Sequence, residues 1–69
     1  MERIAVTSSN LAEVGYDESN ETLEIAFRNG RVYQYLNFPP FMYERFMAAA
    51  SVGKFFNSEI KGKFPETRL

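Results

Sequence analysis

Two segments of alternating polarity, joined by Asn29-Gly30, constrain the fold of this chain more than any other feature. In residues 22–28, apolar side chains alternate with polar or small ones, as in a β-strand that buries one face. Residues 31–36 follow and are rich in the β-branched and aromatic side chains that strands favour. Because Asn-Gly readily supplies the two positive φ angles of a type I′ turn, the sequence predicts an antiparallel hairpin with a two-residue loop.

A two-residue loop fixes the register of this hairpin and divides its side chains between two faces. It places Arg28 opposite Arg31 and Ala26 opposite Tyr33. The predicted core face then carries the apolar residues Leu23, Ile25, Phe27, Val32 and Leu36. The opposite face carries the two tyrosines and two arginines, namely Arg28, Arg31, Tyr33 and Tyr35.

The rest of the chain divides into short elements. Residues 4–6 read as an extended arm followed by a turn at 7–10, and residues 11–16 as a strand in which Gly15 marks a weak point or a bulge. After the hairpin, Pro39-Pro40 ends the strand and starts a helix over residues 41–50. Ser51 would cap a second helix that runs to about Lys61, with Gly62 just beyond its end. The predicted fold is α+β, a single domain over residues 1–69 in which a three-stranded antiparallel sheet is followed by two short helices packed on one face.

The length and composition narrow the classes of function. A core built from 69 residues is small, so a homodimer contact or a larger protein partner would add useful stability. The chain has neither cysteine nor histidine, which removes disulfides, thiolate metal sites and the commonest catalytic bases. We therefore expect no enzyme activity, no metal and no cofactor. No apolar run approaches the roughly 18 residues of a membrane span, so we also expect a cytoplasmic protein without a membrane partner.

The charges are unevenly distributed along the chain. Residues 1–30 contain six acidic and two basic side chains, a net charge of −4, whereas residues 31–69 contain three acidic and six basic ones, a net charge of +3. The total of −1 does not by itself indicate a nucleic-acid-binding protein. The asymmetry is compatible with a basic face, and equally with an ordinary solvated surface.

The tyrosine and arginine face of the hairpin is the first candidate binding site. Aromatic rings on a sheet can stack on unpaired bases, and guanidinium groups beside them can contact phosphates. The alternative is that Tyr33 and Tyr35 pack under the amino-terminal arm or in a dimer contact, while Arg28 and Arg31 pair with nearby glutamates.

The start of the second helix is another candidate. Its free N–H groups favour an anion, Gly53 allows close approach, and Ser51, Lys54 and Asn57 add polar groups. The alternative is a capped helix in which Gly53 serves close packing. Lys61 belongs to a third cluster with Lys63 and Arg68, although cations near a helix carboxyl end also favour the helix dipole.

Several motifs together resemble the KTSC domain. They are Val6-Thr7-Ser8-Ser9, Val14-Gly15-Tyr16-Asp17, Gly30-Arg31-Val32-Tyr33-Gln34-Tyr35, Ala50-Ser51-Val52-Gly53-Lys54-Phe55-Phe56-Asn57, Ile60-Lys61 and Phe64-Pro65. That family is named after the carboxy-terminal extension of some lysyl-tRNA synthetases and includes small free-standing bacterial proteins. The resemblance implies a compact α+β domain and a suggested role in binding nucleic acid, with no established enzymatic activity.

The residues and the resemblance together predict a small non-catalytic accessory module that binds nucleic acid, with RNA as the expected ligand and single-stranded DNA as the other candidate. Tyr33 and Tyr35 would stack on bases, while Arg28, Arg31, Lys54 and Lys61 would contact phosphates. One alternative is a protein-interaction or homodimerisation module, in which the tyrosines face a partner and the cations form a rim. Another is a small-molecule or nucleotide sensor at residues 51–57.

Overall fold

The computed structural model describes residues 1–69, and its main element is a five-stranded antiparallel sheet. Each strand pairs with the next along the chain. In order, the strands are β1 (Arg3–Ala5), β2 (Leu11–Asp17), β3 (Thr22–Phe27), β4 (Val32–Tyr35) and β5 (Glu66–Arg68). The predicted α+β class is confirmed, but three strands were too few, because a short strand pairs with each edge of the predicted sheet.

Two helices connect β4 to β5. They are α1 (Pro40–Ala48) and α2 (Val52–Phe55), and α2 continues directly into a π-helical segment, Phe56–Ile60. Pro40 occupies the first turn of α1, and the Ser51 hydroxyl caps α2 by accepting the Lys54 N–H at 3.2 Å. Both predicted helix starts are confirmed, although α1 ends two residues earlier than the predicted Ala50. Neither helix has the length and apolar run that crossing a bilayer requires.

The helices cover one face of the sheet and form the core with it. Tyr16 joins the two layers, since its ring stacks on Tyr43 at a centroid distance of 4.5 Å and its hydroxyl donates to the Phe38 carbonyl at 2.6 Å. The buried core residues are Leu11, Val14, Leu23, Ile25, Tyr35, Phe38, Met42, Phe46, Phe56 and Ile60.

The register of the β3–β4 hairpin differs from the predicted one by one residue. The Gly30 N–H donates to the Phe27 carbonyl at 3.0 Å, and the Phe27 N–H donates to the Arg31 carbonyl at 2.8 Å. Gly30 has a φ of 92°, whereas Asn29 has no positive φ. The loop therefore has three residues, a type I turn completed by a glycine bulge, and not the predicted type I′ turn.

The shifted register exchanges the two faces of β4. Tyr33 lies opposite Ile25 and Tyr35 opposite Leu23, so both tyrosines point to the helix-covered side. The prediction that they occupy the face opposite the core is wrong. Tyr35 is 3% exposed, while Leu36, predicted to be core, is 36% exposed. Val32, also predicted to be core, pairs with Ala26 and points to the helix-free face.

The helix-free face carries a closed polar cluster instead of tyrosines. Glu24 lies at its centre, where its carboxylate accepts from Arg3 Nη1 at 3.0 Å and from Gln34 Nε2 at 2.9 Å. Arg3 Nε also lies 3.2 Å from the Glu13 carboxylate. The hydrogen-bonding groups of Arg3, Glu24 and Gln34 are thus used within the protein.

Candidate functional site

The molecule has a single cleft, of about 260 Å³, on the helix-covered side of the sheet. It lies where the hairpin, the π-helical segment and β5 meet. Its lining residues are Asn10, Phe27, Asn29, Arg31, Tyr33, Tyr35, Phe56, Asn57, Lys61 and Glu66.

Four aromatic rings form the apolar part of the cleft. Phe27 meets Tyr33 and Phe56 edge-on, with ring centroids 5.9 Å and 5.4 Å apart. Tyr35 meets Phe56 edge-on at 5.7 Å and stacks beside Tyr33 at 6.4 Å. Such contacts hold each ring in one orientation. Tyr33 is only half-buried, so part of its ring is available to a ligand.

The Tyr35 hydroxyl is an unused polar group in this cleft. It has no hydrogen-bond partner in the protein. Every fully buried side-chain polar atom of the molecule does have a partner, so this hydroxyl is not fully buried. The hydroxyl must therefore reach solvent, and the cleft that Tyr35 lines is the place where it does so. Burial, and then the neighbouring Glu66 carboxylate, raise the pKa of Tyr35 well above its ordinary value of 10.0. At neutral pH the group is a protonated donor.

Three charged side chains line the cleft without an ionic partner. Arg31, Lys61 and Glu66 form no ion pair, because both ion pairs of the molecule use Arg3. Their side chains also make no hydrogen bond within the protein. The amide of Asn57 is equally free, so the cleft offers two cations, one carboxylate and an amide to a ligand.

The π-helical segment brings Asn57 and Lys61 to the cleft. The Lys61 N–H donates to the Phe56 carbonyl at 2.8 Å, which closes a turn one residue wider than that of an α-helix. Phe56 and Ile60 point into the core from this turn, while Asn57 and Lys61 are exposed. π-Helical turns of this kind often mark functional sites.

Comparisons with known proteins identify the family of this chain. The family model for the KTSC domain matches residues 7–64. The chain belongs to the KTSC domain family. The crystal structure of a KTSC domain protein from Yersinia pestis superimposes with a TM-score of 0.94, at 45% sequence identity, over 99% of this chain and 96% of that one. The resemblance inferred from the motifs is thereby confirmed.

Two curated relatives are similar to this chain but differ in how much of their own length the similarity covers. An uncharacterized protein from Stutzerimonas stutzeri is 38% identical over 61 residues, which are 88% of this chain and 86% of that protein. A lysine–tRNA ligase from Nostoc punctiforme is 41% identical over 61 residues, which again are 88% of this chain but only 11% of the ligase. The segment that matches this chain is thus a small part of the ligase.

The cleft of this KTSC domain unites residues from all three predicted clusters. Arg31, Tyr33 and Tyr35 come from the predicted sheet site, Asn57 from the predicted helix site and Lys61 from the third cluster. The sequence placed these residues on separate elements. They meet in the cleft because the observed register of the β3–β4 hairpin turns Tyr33 and Tyr35 to the helix-covered side.

The other four predicted residues lie outside the cleft. Arg28 Nε donates to the Ser8 carbonyl at 2.8 Å, which ties the hairpin to the loop before β2. Ser51 caps α2. Gly53 packs against that same loop, where an added Cβ would lie 3.1 Å from Ser8 Oγ. Lys54 is exposed and unpaired.

Sequence reasoning missed five residues that line the cleft. Phe27 was assigned to the core alone, Asn29 to the hairpin turn and Asn10 to a turn before β2. Phe56 was named only as part of a motif shared with the KTSC domain. Glu66 carried no signal, because the strand Glu66–Arg68 is short and polar. Among the acidic residues, no group of three that could hold a metal ion comes together.

Proposed function

We propose that this KTSC domain is a non-catalytic module that binds single-stranded nucleic acid, with RNA as its ligand. The observation that carries the proposal is the joining of a partly exposed aromatic residue, Tyr33, with two unpaired cations, Arg31 and Lys61, in one cleft. This is the combination that single strands require, because an unstacked base needs a ring and its phosphates need positive charge.

The size of the cleft supports a ligand that enters one base at a time. Its volume of about 260 Å³ lies just below the range typical of pockets for drug-sized molecules, roughly 300–1,000 Å³. A single base against Tyr33 suits such a space better than a large cofactor does. Stacking of this kind contributes about 1–3 kcal/mol per base.

The choice of RNA over DNA rests on the relatives. The relative from Nostoc punctiforme is a lysine–tRNA ligase, a protein whose name includes an RNA substrate. A module that binds single-stranded RNA is consistent with the similarity to part of a tRNA ligase.

The proposal is tested by titrating fluorescently labelled single-stranded RNA and DNA with the protein, at low and at high salt. We expect RNA binding that weakens as salt rises, and we expect Tyr33→Ala to weaken it about tenfold, in line with the loss of one stacked base. Circular dichroism and thermal melts would show that the variant remains folded.

A pair of lysine variants makes the test specific to the cleft. Each phosphate contact to a single strand contributes about −0.7 to the slope of log K against log salt. Lys61→Ala should flatten this slope by about 0.7, whereas Lys54→Ala, which removes the same charge outside the cleft, should leave it unchanged. Absence of binding at low salt, or equal effects of the two variants, would refute the proposal.

A further inference from the structure

Glu66 is an unexpected residue for a cleft that binds a polyanion. It belongs to β5 and pairs in register with Tyr35, so its side chain points to the same side of the sheet as the tyrosine. It lines the cleft with no ion pair and no hydrogen bond inside the protein. A free carboxylate repels phosphate, but it can accept hydrogen bonds from a part of a ligand that carries donors.

We infer that the cleft selects guanine among the four RNA bases, with the Glu66 carboxylate accepting hydrogen bonds from the guanine N1–H and N2–H groups. This inference rests on the proposed function, since it specifies which base enters the same cleft. It adds a specificity-determining residue that lies outside the motifs discussed above.

The chemistry of a carboxylate favours guanine over the other bases. An ionised glutamate has two acceptor oxygens and no donor. Guanine presents two adjacent donors on its Watson–Crick edge, which match both oxygens at once in a charge-assisted pair. Adenine and cytosine each place a ring-nitrogen acceptor beside their amino donor, and uracil flanks its single N–H with two carbonyl oxygens. On adenine, cytosine and uracil, one carboxylate oxygen would therefore face an acceptor lone pair of the base and be repelled by it.

The remaining polar groups of the cleft complement the rest of a guanine nucleotide. The other edge of guanine carries two acceptors, O6 and N7, which arginine, lysine and amide donors recognise. Arg31 and Asn57 supply such donors, and the protonated Tyr35 hydroxyl adds another. Lys61 remains available to a phosphate. A cleft with two cations and one carboxylate therefore fits this nucleotide better than it fits a phosphate alone.

The experiment uses four labelled oligouridines that differ only in the central base, which is G, A, C or U. We expect the G oligonucleotide to bind about tenfold more tightly than the others, because a tenfold difference lies within the range by which one bidentate contact discriminates between bases. Glu66→Gln should reduce the preference to less than about twofold, since its amide offers one acceptor only. Glu44→Gln, which removes an exposed carboxylate outside the cleft, should preserve the preference.

The outcomes separate this inference from the function on which it rests. Equal affinity for the four oligonucleotides, or a guanine preference that survives Glu66→Gln, overturns guanine selection and leaves nucleic-acid binding standing. No binding to any of the four overturns the proposed function, and guanine selection with it. Loss of the preference in Glu66→Gln but not in Glu44→Gln supports both.

Discussion

The phenol of Tyr35 lies against the Phe56 ring and near the Glu66 carboxylate, and its hydroxyl has no partner in the protein. A single residue thus contributes to the core through its ring and to the cleft through its oxygen. Burial disfavours the phenolate most, and the negative charge of Glu66 disfavours it further. The raised pKa extends into alkali the pH range over which the hydroxyl stays protonated.

This environment predicts how the Tyr35 hydroxyl affects stability in alkali. The folded-state pKa is raised above 10.0, so the unfolded chain ionises first and the free energy of unfolding falls as pH rises above about 10. Tyr35→Phe should remove that part of the alkaline loss while leaving stability at pH 7 nearly unchanged, because no hydrogen bond is lost. Urea denaturation between pH 7 and pH 11 measures both effects.

Tyr16→Phe provides the matched comparison. The Tyr16 hydroxyl donates to the Phe38 carbonyl, so its removal should cost about 0.5–1.5 kcal/mol already at pH 7. If Tyr35→Phe lost stability in alkali as steeply as the parent protein does, the described environment of Tyr35 would be incorrect.

Among the elements, the β3–β4 hairpin shows what local sequence can and cannot predict. The alternation in residues 22–28 and the Asn29-Gly30 pair correctly located two strands and the turn between them. The same pair also fits a three-residue loop with glycine at the bulge, and the two loops differ by one residue in register. The observed register buries Tyr35 against Phe56, a contact between residues far apart in sequence that local patterns do not reveal.

The two edge strands, β1 and β5, were harder to predict than the hairpin. The extended arm at residues 4–6 was recognised, and it contributes to β1. Strand β5 was not predicted, because Glu66–Arg68 has no apolar alternation. Backbone hydrogen bonds hold it in place, among them Leu36 N–H to the Pro65 carbonyl at 2.8 Å and Leu69 N–H to the Val32 carbonyl at 2.9 Å. Polar, charged residues are common on such edges, where they discourage further pairing.

The attachment of β1 to β2 depends on Gly15. A Cβ at this position would lie 2.7 Å from the Glu2 carbonyl oxygen and 2.9 Å from Arg3 Cγ. Gly15→Ala should therefore displace β1 and destabilise the protein by about 1–3 kcal/mol, as overpacking does. Urea denaturation gives the loss of stability, and hydrogen exchange of the β1 amides locates it.

Gly62→Ala is the control for this variant. Gly62 has a φ of 75° and open space around it, so alanine there should cost about 1 kcal/mol through backbone strain without loosening β1. Unchanged exchange of the β1 amides in Gly15→Ala would contradict the close approach of the two strands.

At the scale of the whole molecule, the two faces of the sheet have different roles. On the helix-free face, the Arg3 guanidinium pairs with the carboxylates of both Glu13 and Glu24. On the helix-covered side, the cleft leaves Arg31, Lys61 and Glu66 unpaired. The charge asymmetry of the sequence was compatible with a basic face and equally with an ordinary solvated surface. Of the four cations predicted to contact phosphates, only Arg31 and Lys61 meet in the cleft. The cleft itself could not be predicted, because it depends on the hairpin register and on the wide π-helical turn.

The most direct test of the account is an NMR titration of the ¹⁵N-labelled protein with an oligouridine that carries one central guanine. We predict that amide shift changes concentrate around the cleft, at residues 29–35, 57–61 and 66, with little change at residues 3, 13 and 24 on the helix-free face. Shifts that cluster instead on the helix-free face or at residues 51–54, or no shifts at all at low salt, would contradict the claim that this cleft binds nucleic acid.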